Sequence, residues 1–418
     1  MERYQSARHF LSETRPERPV FGVRPHAAAR AARYFLTHFP GEVAYAYKAN
    51  SSVFLLGALY GAGIRHFDVA SLPELEDAAT IPDATLHFMH PVKSRNAIRR
   101  AYHEFGIRRF AVDSHDELEK IMEETGRPDD LHLYVRLSVP AHDSSIPLER
   151  KFGVEADGAV ELLQAARQCC DELGLTFHVG SQTATTEAYV NALKLVRQVI
   201  VKAGVVIDAL DVGGGFPARY DEKTPTPLKT FFKVIEDHFE GLPVSHDCRL
   251  VCEPGRALVA EAESLIVRVN ARRGNELFIN DGGYGALFDA THFGFSFPVR
   301  LVRPEDVATP HQEQRLEPFE LWGPTCDSVD YMKGPFLLPP DVREGDYLEF
   351  GNMGAYGRAI AGTFNGYGQY DEIILDDAPM YTMFDDAGTT TGIEVRPHGL
   401  AGPFGDGVRG DAETVEPS

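Results

Sequence analysis

A closed barrel of eight parallel strands, each followed by a helix, and then an all-β domain, is the fold this sequence predicts. Three observations carry that expectation. Eight short apolar runs fill the first two thirds of the 418-residue chain, each with a helix-like stretch behind it. Polar and charged residues collect at the ends of those runs, and a (β/α)8 barrel keeps its chemistry at the C-terminal ends of its strands. Past residue 262 the pattern changes to alternating or β-branched segments with turn residues between them.

Residues 1–26 read as an N-terminal segment with one strand at 20–23, expected to pack on the β domain. An Ala-rich helix at 27–39 opens the barrel, which is expected to span 27–262. Its strands are predicted at 43–47, 64–70, 84–89, 109–112, 133–138, 175–180, 209–212 and 249–252. Its helices are predicted at 53–61, 72–80, 94–105, 115–125, 159–173, 187–203 and 228–239. Pro91 and Ser94 stand where a loop ends and a helix is capped. The β domain, 263–384, is expected to hold strands at 264–270, 275–280, 297–303, 317–322, 347–350 and 372–375. Residues 385–418 are rich in Gly, Pro, Thr and acids, the composition of a flexible tail.

The formal net charge of −21 argues against nucleic acid or an anionic membrane surface as partner. Five cysteines without a CxxC pair suit a reducing compartment. The charged N-terminus lacks the apolar stretch of a secretory signal, and no run is long enough to span a bilayer. A cytoplasmic location is the expectation.

The strand ends carry the chemistry. Lys48 follows the first strand, where partial burial is expected to lower its pKa and make it nucleophilic; alone it reads more readily as a surface lysine. Gly213-Gly214-Gly215 follows the seventh strand and exposes backbone N–H groups to an anion, although a glycine run is also a simple turn. Glu253, Gly255 and Arg256 follow the eighth: the arginine can reach the same anion, and the glutamate points into the site unless it merely pairs with an arginine. His178 ends the sixth strand, with Ser181 close behind; a lone histidine is usually structural, yet a flat ring here can stack on a flat cofactor. A phosphate cup, a carboxylate for a ring nitrogen, a stacking ring and an imine-forming lysine together describe a pyridoxal 5'-phosphate site.

The strings YAYKAN, FDVAS-x-x-E, KFG, HVGSQ, DVGGGFP, EPGR, GPTCDSVD and GAY…FNG resemble those of the fold-type III pyridoxal phosphate decarboxylases, the family of ornithine, lysine and diaminopimelate decarboxylases, over roughly residues 15–385. The resemblance implies an alanine-racemase-type α/β barrel with a C-terminal β domain. Residue by residue, Lys48 resembles the lysine that bonds the cofactor, His178 the stacking histidine and Glu253 the partner of the pyridine nitrogen. Gly213, Gly214, Gly215, Gly255, Arg256, Ser181 and Tyr356 resemble phosphate ligands. Asp68 and Glu74 resemble the acids near the lysine and histidine, and Arg136 a supporting base of the rim. Cys326 and Asp327 lie in a segment that in the family reaches the partner's active site, so a homodimer with shared sites is implied. Cys326 is then the acid that reprotonates Cα, where its plain alternative is a buried cysteine with only a packing role.

The substrate implied is a small basic L-amino acid. GPTCDSVD is closer to the ornithine-type string, whereas His292-Phe293 stands where ornithine enzymes of the eukaryotic type have Tyr-Asp. A buried distal ammonium requires a carboxylate. Asp327 is the foremost candidate, with Asp289 or Asp330 as helpers and Tyr284 and His292 in the same pocket. L-Ornithine, giving putrescine for polyamine synthesis, is the leading reading, and L-lysine follows. Diaminopimelate is weakened because the segment around His292 has no arginine for a second carboxylate. A racemase of the same fold would place an arginine where Glu253 stands. A non-catalytic regulatory homologue would have no need of Lys48, Cys326 and the phosphate cup. A metal-dependent barrel would draw on His90, His178, Asp68 and Glu253, but no compact ligand spacing supports a metal, and none is expected.

Overall fold

The computed structural model describes residues 1–140, 144–146, 151–223, 225–304 and 315–384. The expected tail, 385–418, lies outside the described residues. Eight parallel strands close into a barrel: Glu42–Ala46, His66–Val69, Thr85–Phe88, Arg109–Val112, His132–Leu137, Glu172–Phe177, Ala209–Asp211 and Arg249–Cys252. The eighth strand returns to the first through Val251↔Glu42 and Cys252↔Val43. These strands are almost wholly buried, as strands covered on both faces must be, and so they read as continuous apolar runs. Three of the following helices start on a serine whose Oγ accepts the N–H three residues on: Ser71 from Glu74, Ser94 from Ala97 and Ser114 from Glu117.

Sequence and structure part company around the sixth strand. The helix expected at 159–173 ends at Arg167, and the strand starts at Glu172. The link Gln168–Cys169–Cys170–Asp171 contains neither Gly nor Pro, so nothing in its composition marks the break.

Among the described residues a second sheet of nine strands is built from segments on both sides of the barrel in the chain. Its long strand, Glu263–Arg273, pairs antiparallel with Val20–Val23, and that strand pairs parallel with Asp371–Leu375. The chain thus leaves the N-terminal segment, builds the barrel and returns to the same sheet. Tyr331–Leu338 is a strand the pattern did not disclose, because Gly334-Pro335 interrupts it and proline argues against a strand. Short helices at Phe288–His292 and Gly357–Ile360 interrupt the all-β expectation.

Candidate active site

The C-terminal strand ends open into a cavity of about 370 Å³ lined by Lys48, Asp68, Arg136, His178, Ser181, Gly214, Gly215, Glu253, Gly255, Arg256 and Tyr356. Gly213 lies just beneath: its N–H donates to Asp211 Oδ1 at 2.8 Å and its carbonyl accepts from Glu253 N at 2.8 Å. His90, weighed from sequence only as a metal ligand, lines the same cavity beside Lys151 and Phe152, to which sequence gave no separate role. The His90 and Phe152 rings meet edge to face at 4.9 Å, and Arg136 lies over the Phe152 ring at 5.6 Å.

Lys48 projects from a single 3-10 turn, Tyr47–Ala49, directly after the first strand. Its Nζ donates to Asp68 Oδ2 at 3.0 Å. Burial pulls the lysine pKa down, but the Asp68 carboxylate, with Tyr356 and Glu253 behind it, holds it above the ordinary value. The expected lowering is therefore corrected: this amine is protonated, and its proton must pass to an acceptor before it becomes nucleophilic. Glu74 sits beside this pair and accepts from Ala70 N at 2.7 Å, and burial raises its pKa.

Arg256 is 4% exposed and held by three side chains. It donates from Nε to Ser181 Oγ at 3.2 Å, from Nη1 to Tyr220 Oη at 3.0 Å and from Nη2 to Asp289 Oδ2 at 3.4 Å. Tyr356 stacks against it, with the guanidinium 5.0 Å from the ring centre. Beside this cation the glycine loop is packed without room for side chains. A Cβ on Gly214 would stand 2.5 Å from the Glu253 carbonyl oxygen and 3.2 Å from His178 Nε2. Burial keeps His178 neutral, its pKa pulled well below 6.5, with Nδ1 accepting from Gly180 N at 3.1 Å.

Glu253 is paired with an acid, not with an arginine. Its carboxyl and that of Asp211 are both buried, and Glu253 Oε1 and Asp211 Oδ2 meet no donor among the described residues. Burial pushes Asp211 up to about 6, and burial followed by Asp211 and Asp68 pushes Glu253 well above the carboxylate range. Facing each other in a buried site, the two carboxyls oppose each other's ionisation. Asp211 is the residue sequence reasoning missed, although strands seven and eight are neighbours and Asp211 ends one as Glu253 follows the other.

The residues expected at the substrate's distal end are elsewhere in the chain's own fold. Tyr284 Oη donates to Asp327 Oδ2 at 2.5 Å, and Cys326 is exposed beside them, its N–H on Asn365 Oδ1 at 3.1 Å. None of the three lines the cavity. Asp289 faces Arg256 instead of this cluster, and His292 is exposed on its short helix, its ring against Phe288. Asp330 is occupied by Gly283 N, Thr325 N and Thr325 Oγ1. At the opposite mouth of the barrel Glu42, His66 and His87 converge, and Arg109 fills that convergence by donating to His87 Nε2 at 2.7 Å.

Lys48, the buried Arg256 beside the glycine loop, the neutral His178 and the donorless Glu253 thus converge at one mouth of the barrel. The model of the pyridoxal-dependent decarboxylase family, pyridoxal binding domain, matches residues 26–260, and the chain belongs to that family. The lysine/ornithine decarboxylase of Selenomonas ruminantium is 29% identical over 360 residues, covering 84% of this chain and 87% of its own. The diaminopimelate decarboxylase of Pseudomonas aeruginosa is 31% identical over 374 residues, covering 84% and 86%. Among solved structures, the arginine decarboxylase of Paramecium bursaria Chlorella virus bound to agmatine superposes with a TM-score of 0.76 at 27% identity, over 88% of this chain and 98% of that one. The protein is a pyridoxal-phosphate-dependent amino acid decarboxylase, and no helix among the described residues is long and apolar enough to cross a membrane. Its residues fit the cofactor: the glycine cradle and Arg256 suit a phosphate, and the orphaned Glu253 oxygen suits a ring nitrogen.

Proposed function

We propose that this enzyme decarboxylates L-ornithine to putrescine, with a second copy of the chain completing each site. The observation that carries the cofactor half of this reading is the buried, donorless Glu253 at the floor of a cavity that also presents Lys48 and Arg256. Lys48 would hold the cofactor covalently, and Gly213, Gly214, Gly215, Gly255, Ser181, Arg256 and Tyr356 its phosphate. His178 would cover the ring face and Glu253 its nitrogen. When bound, pyridoxal phosphate supplies a ring that takes up the electron pair released as the Cα–carboxylate bond breaks.

The protein's own groups do the rest. Asp68, 3.0 Å from Lys48 Nζ, is the nearest acceptor for the lysine proton. Glu253 would stabilise positive charge on the ring nitrogen from a buried position, where such a contact is strongest. Cys326 of a second copy delivers a proton to Cα, and Asp327 anchors the distal ammonium. Support for Asp327 comes by comparison of the three acids: Asp289 is committed to Arg256 and Asp330 to its own turn. Tyr284 Oη and Val329 N hold the Asp327 carboxylate ionised, below its ordinary pKa. Around it Val329, Phe364 and Tyr367 are 53%, 44% and 43% exposed, an apolar margin suited to cover by a second copy. All five cysteines are unpaired thiols, which suits the proposed cytoplasmic setting.

The test is amine release by the purified protein with pyridoxal phosphate, across L-ornithine, L-lysine, L-arginine, meso-diaminopimelate and the D-isomers. Putrescine as the dominant product is expected. Cadaverine or agmatine in its place would refute ornithine, and absence of any amine despite bound cofactor would refute decarboxylation of these substrates.

A further inference from the structure

Lys48 stands on a single three-residue 3-10 turn, a geometry with poorer hydrogen bonds than an α-helix. Tyr356, across the cavity, adopts a left-handed backbone conformation with φ 66°, which a non-glycine residue keeps only where its surroundings dictate it. One buried side chain ties the two together. Asn50 is 1% exposed and two residues past Lys48. Its Nδ2 donates to Glu263 Oε2 at 2.9 Å and to the Gly354 carbonyl at 2.8 Å, while Oδ1 accepts from Ser52 N at 2.8 Å. Tyr45 Oη donates to the Asn50 carbonyl at 2.8 Å, and Tyr356 N donates to the Ala49 carbonyl at 2.8 Å. The other Glu263 oxygen accepts from Arg358 Nη2 at 3.1 Å, two residues beyond Tyr356.

We propose that Asn50 is a positioning residue that sets Lys48 and Tyr356 in register by joining the lysine turn to Glu263 of the second sheet and to the Gly354–Arg358 loop. This rests on the reading of Lys48 and Tyr356 as cofactor-holding groups. Asparagine alone among similar-sized side chains offers two donors and an acceptor from one planar group. Aspartate has the shape but no N–H, and it would bring a second carboxylate against a fully buried one. The loop has no slack to compensate: a Cβ on Gly354 would stand 1.9 Å from the Val259 carbonyl oxygen.

The experiment compares the unsubstituted protein with Asn50→Ala, Asn50→Asp and Asn50→Asp/Glu263→Gln. The readouts are pyridoxal phosphate affinity by absorbance, the melting temperature of the apoprotein, and kcat and KM. A charge-assisted hydrogen bond is worth about tenfold or more in an equilibrium constant, so Asn50→Asp is expected to weaken cofactor binding and lower kcat by about tenfold each. The double variant should recover part of both, because the amide introduced at position 263 can donate to the carboxylate introduced at position 50. If Asn50→Asp does not fold, Asn50→Ala decides by the same two readouts. Variants that melt earlier yet bind cofactor and turn over within about twofold of the unsubstituted protein would reduce Asn50 to a structural residue and overturn the proposal. An unsubstituted protein with no bound-cofactor band would overturn this proposal and the reading of Lys48 together, whereas a normal band with unaltered variants overturns this one alone.

Discussion

Replacing Arg256 with methionine separates what the arginine does for the fold from what it does for the cofactor. Arg256 is 4% exposed and its neighbour Asp289 is 5% exposed, so removing the cation strands a buried carboxyl. Breaking a buried ion pair from one side costs about 3–5 kcal/mol. The loss should fall near the lower end, because burial already raises the Asp289 pKa and a proton can replace the lost partner. A hydrogen bond from a charged donor to a phosphate is worth about 1.5–3 kcal/mol, or roughly 10- to 150-fold in cofactor affinity. Arg256→Met should therefore lower both apoprotein stability and affinity. Arg256→Met/Asp289→Asn should regain most of the stability, since no carboxylate is left unpaired, and none of the affinity. Urea unfolding of the apoprotein and titration with pyridoxal phosphate followed by absorbance give the two numbers. A double variant that bound the cofactor within about threefold of the unsubstituted protein would refute Arg256 as a phosphate ligand.

Lys48→Ala should abolish turnover and the absorbance of covalently held cofactor; a normal spectrum would remove Lys48 from its role. Mixing Lys48→Ala with Asp327→Asn should restore up to about a quarter of full activity if sites are shared between two copies, because random pairing makes half the dimers mixed, with one of two sites intact; mixing without recovery argues against sharing. His87 is 1% exposed and its pKa is held well below 6.5, first by burial and then by Arg109, so the folded state excludes a proton that the unfolded chain accepts. Stability is then lost as pH falls through about 6.5. His87→Gln should spare about 1 kcal/mol of the loss between pH 7 and 5.5, read from urea midpoints at both values. Equal losses in the two proteins would contradict the burial argument.

Local strings carried most of the site. Lys48, the glycine triplet and Glu253–Arg256 each announce themselves within a few residues of a strand end, because a parallel barrel gathers those ends whatever lies between them. What stayed hidden depends on contacts between distant segments. Asn50 is 213 residues from Glu263 and 304 from Gly354, and no local pattern records those bonds. Residues 20–23 read as a strand of a segment packing on the β domain, but nothing local records that their partners are 263–266 and 371–374. Lys48 shows the other limit. Its partial burial was legible, but the sign of its pKa shift is set by how closely Asp68 approaches, and position along a strand does not encode that distance.

The acids at the cavity floor work against the rule that buried carboxyls are paired with cations. Asp68 follows the rule through Lys48, but Asp211 and Glu253 face each other with no cation between them. Burial and like charge this close oppose ionisation, which raises both pKa values. That arrangement is costly for the apoprotein, and the cost has a use. A protonated pyridine nitrogen held at this floor would supply the cation that the two carboxyls lack. Such a cation would relieve the repulsion within the pair, so the cavity floor as well as the proposed phosphate cup would contribute to binding a pyridoxal group.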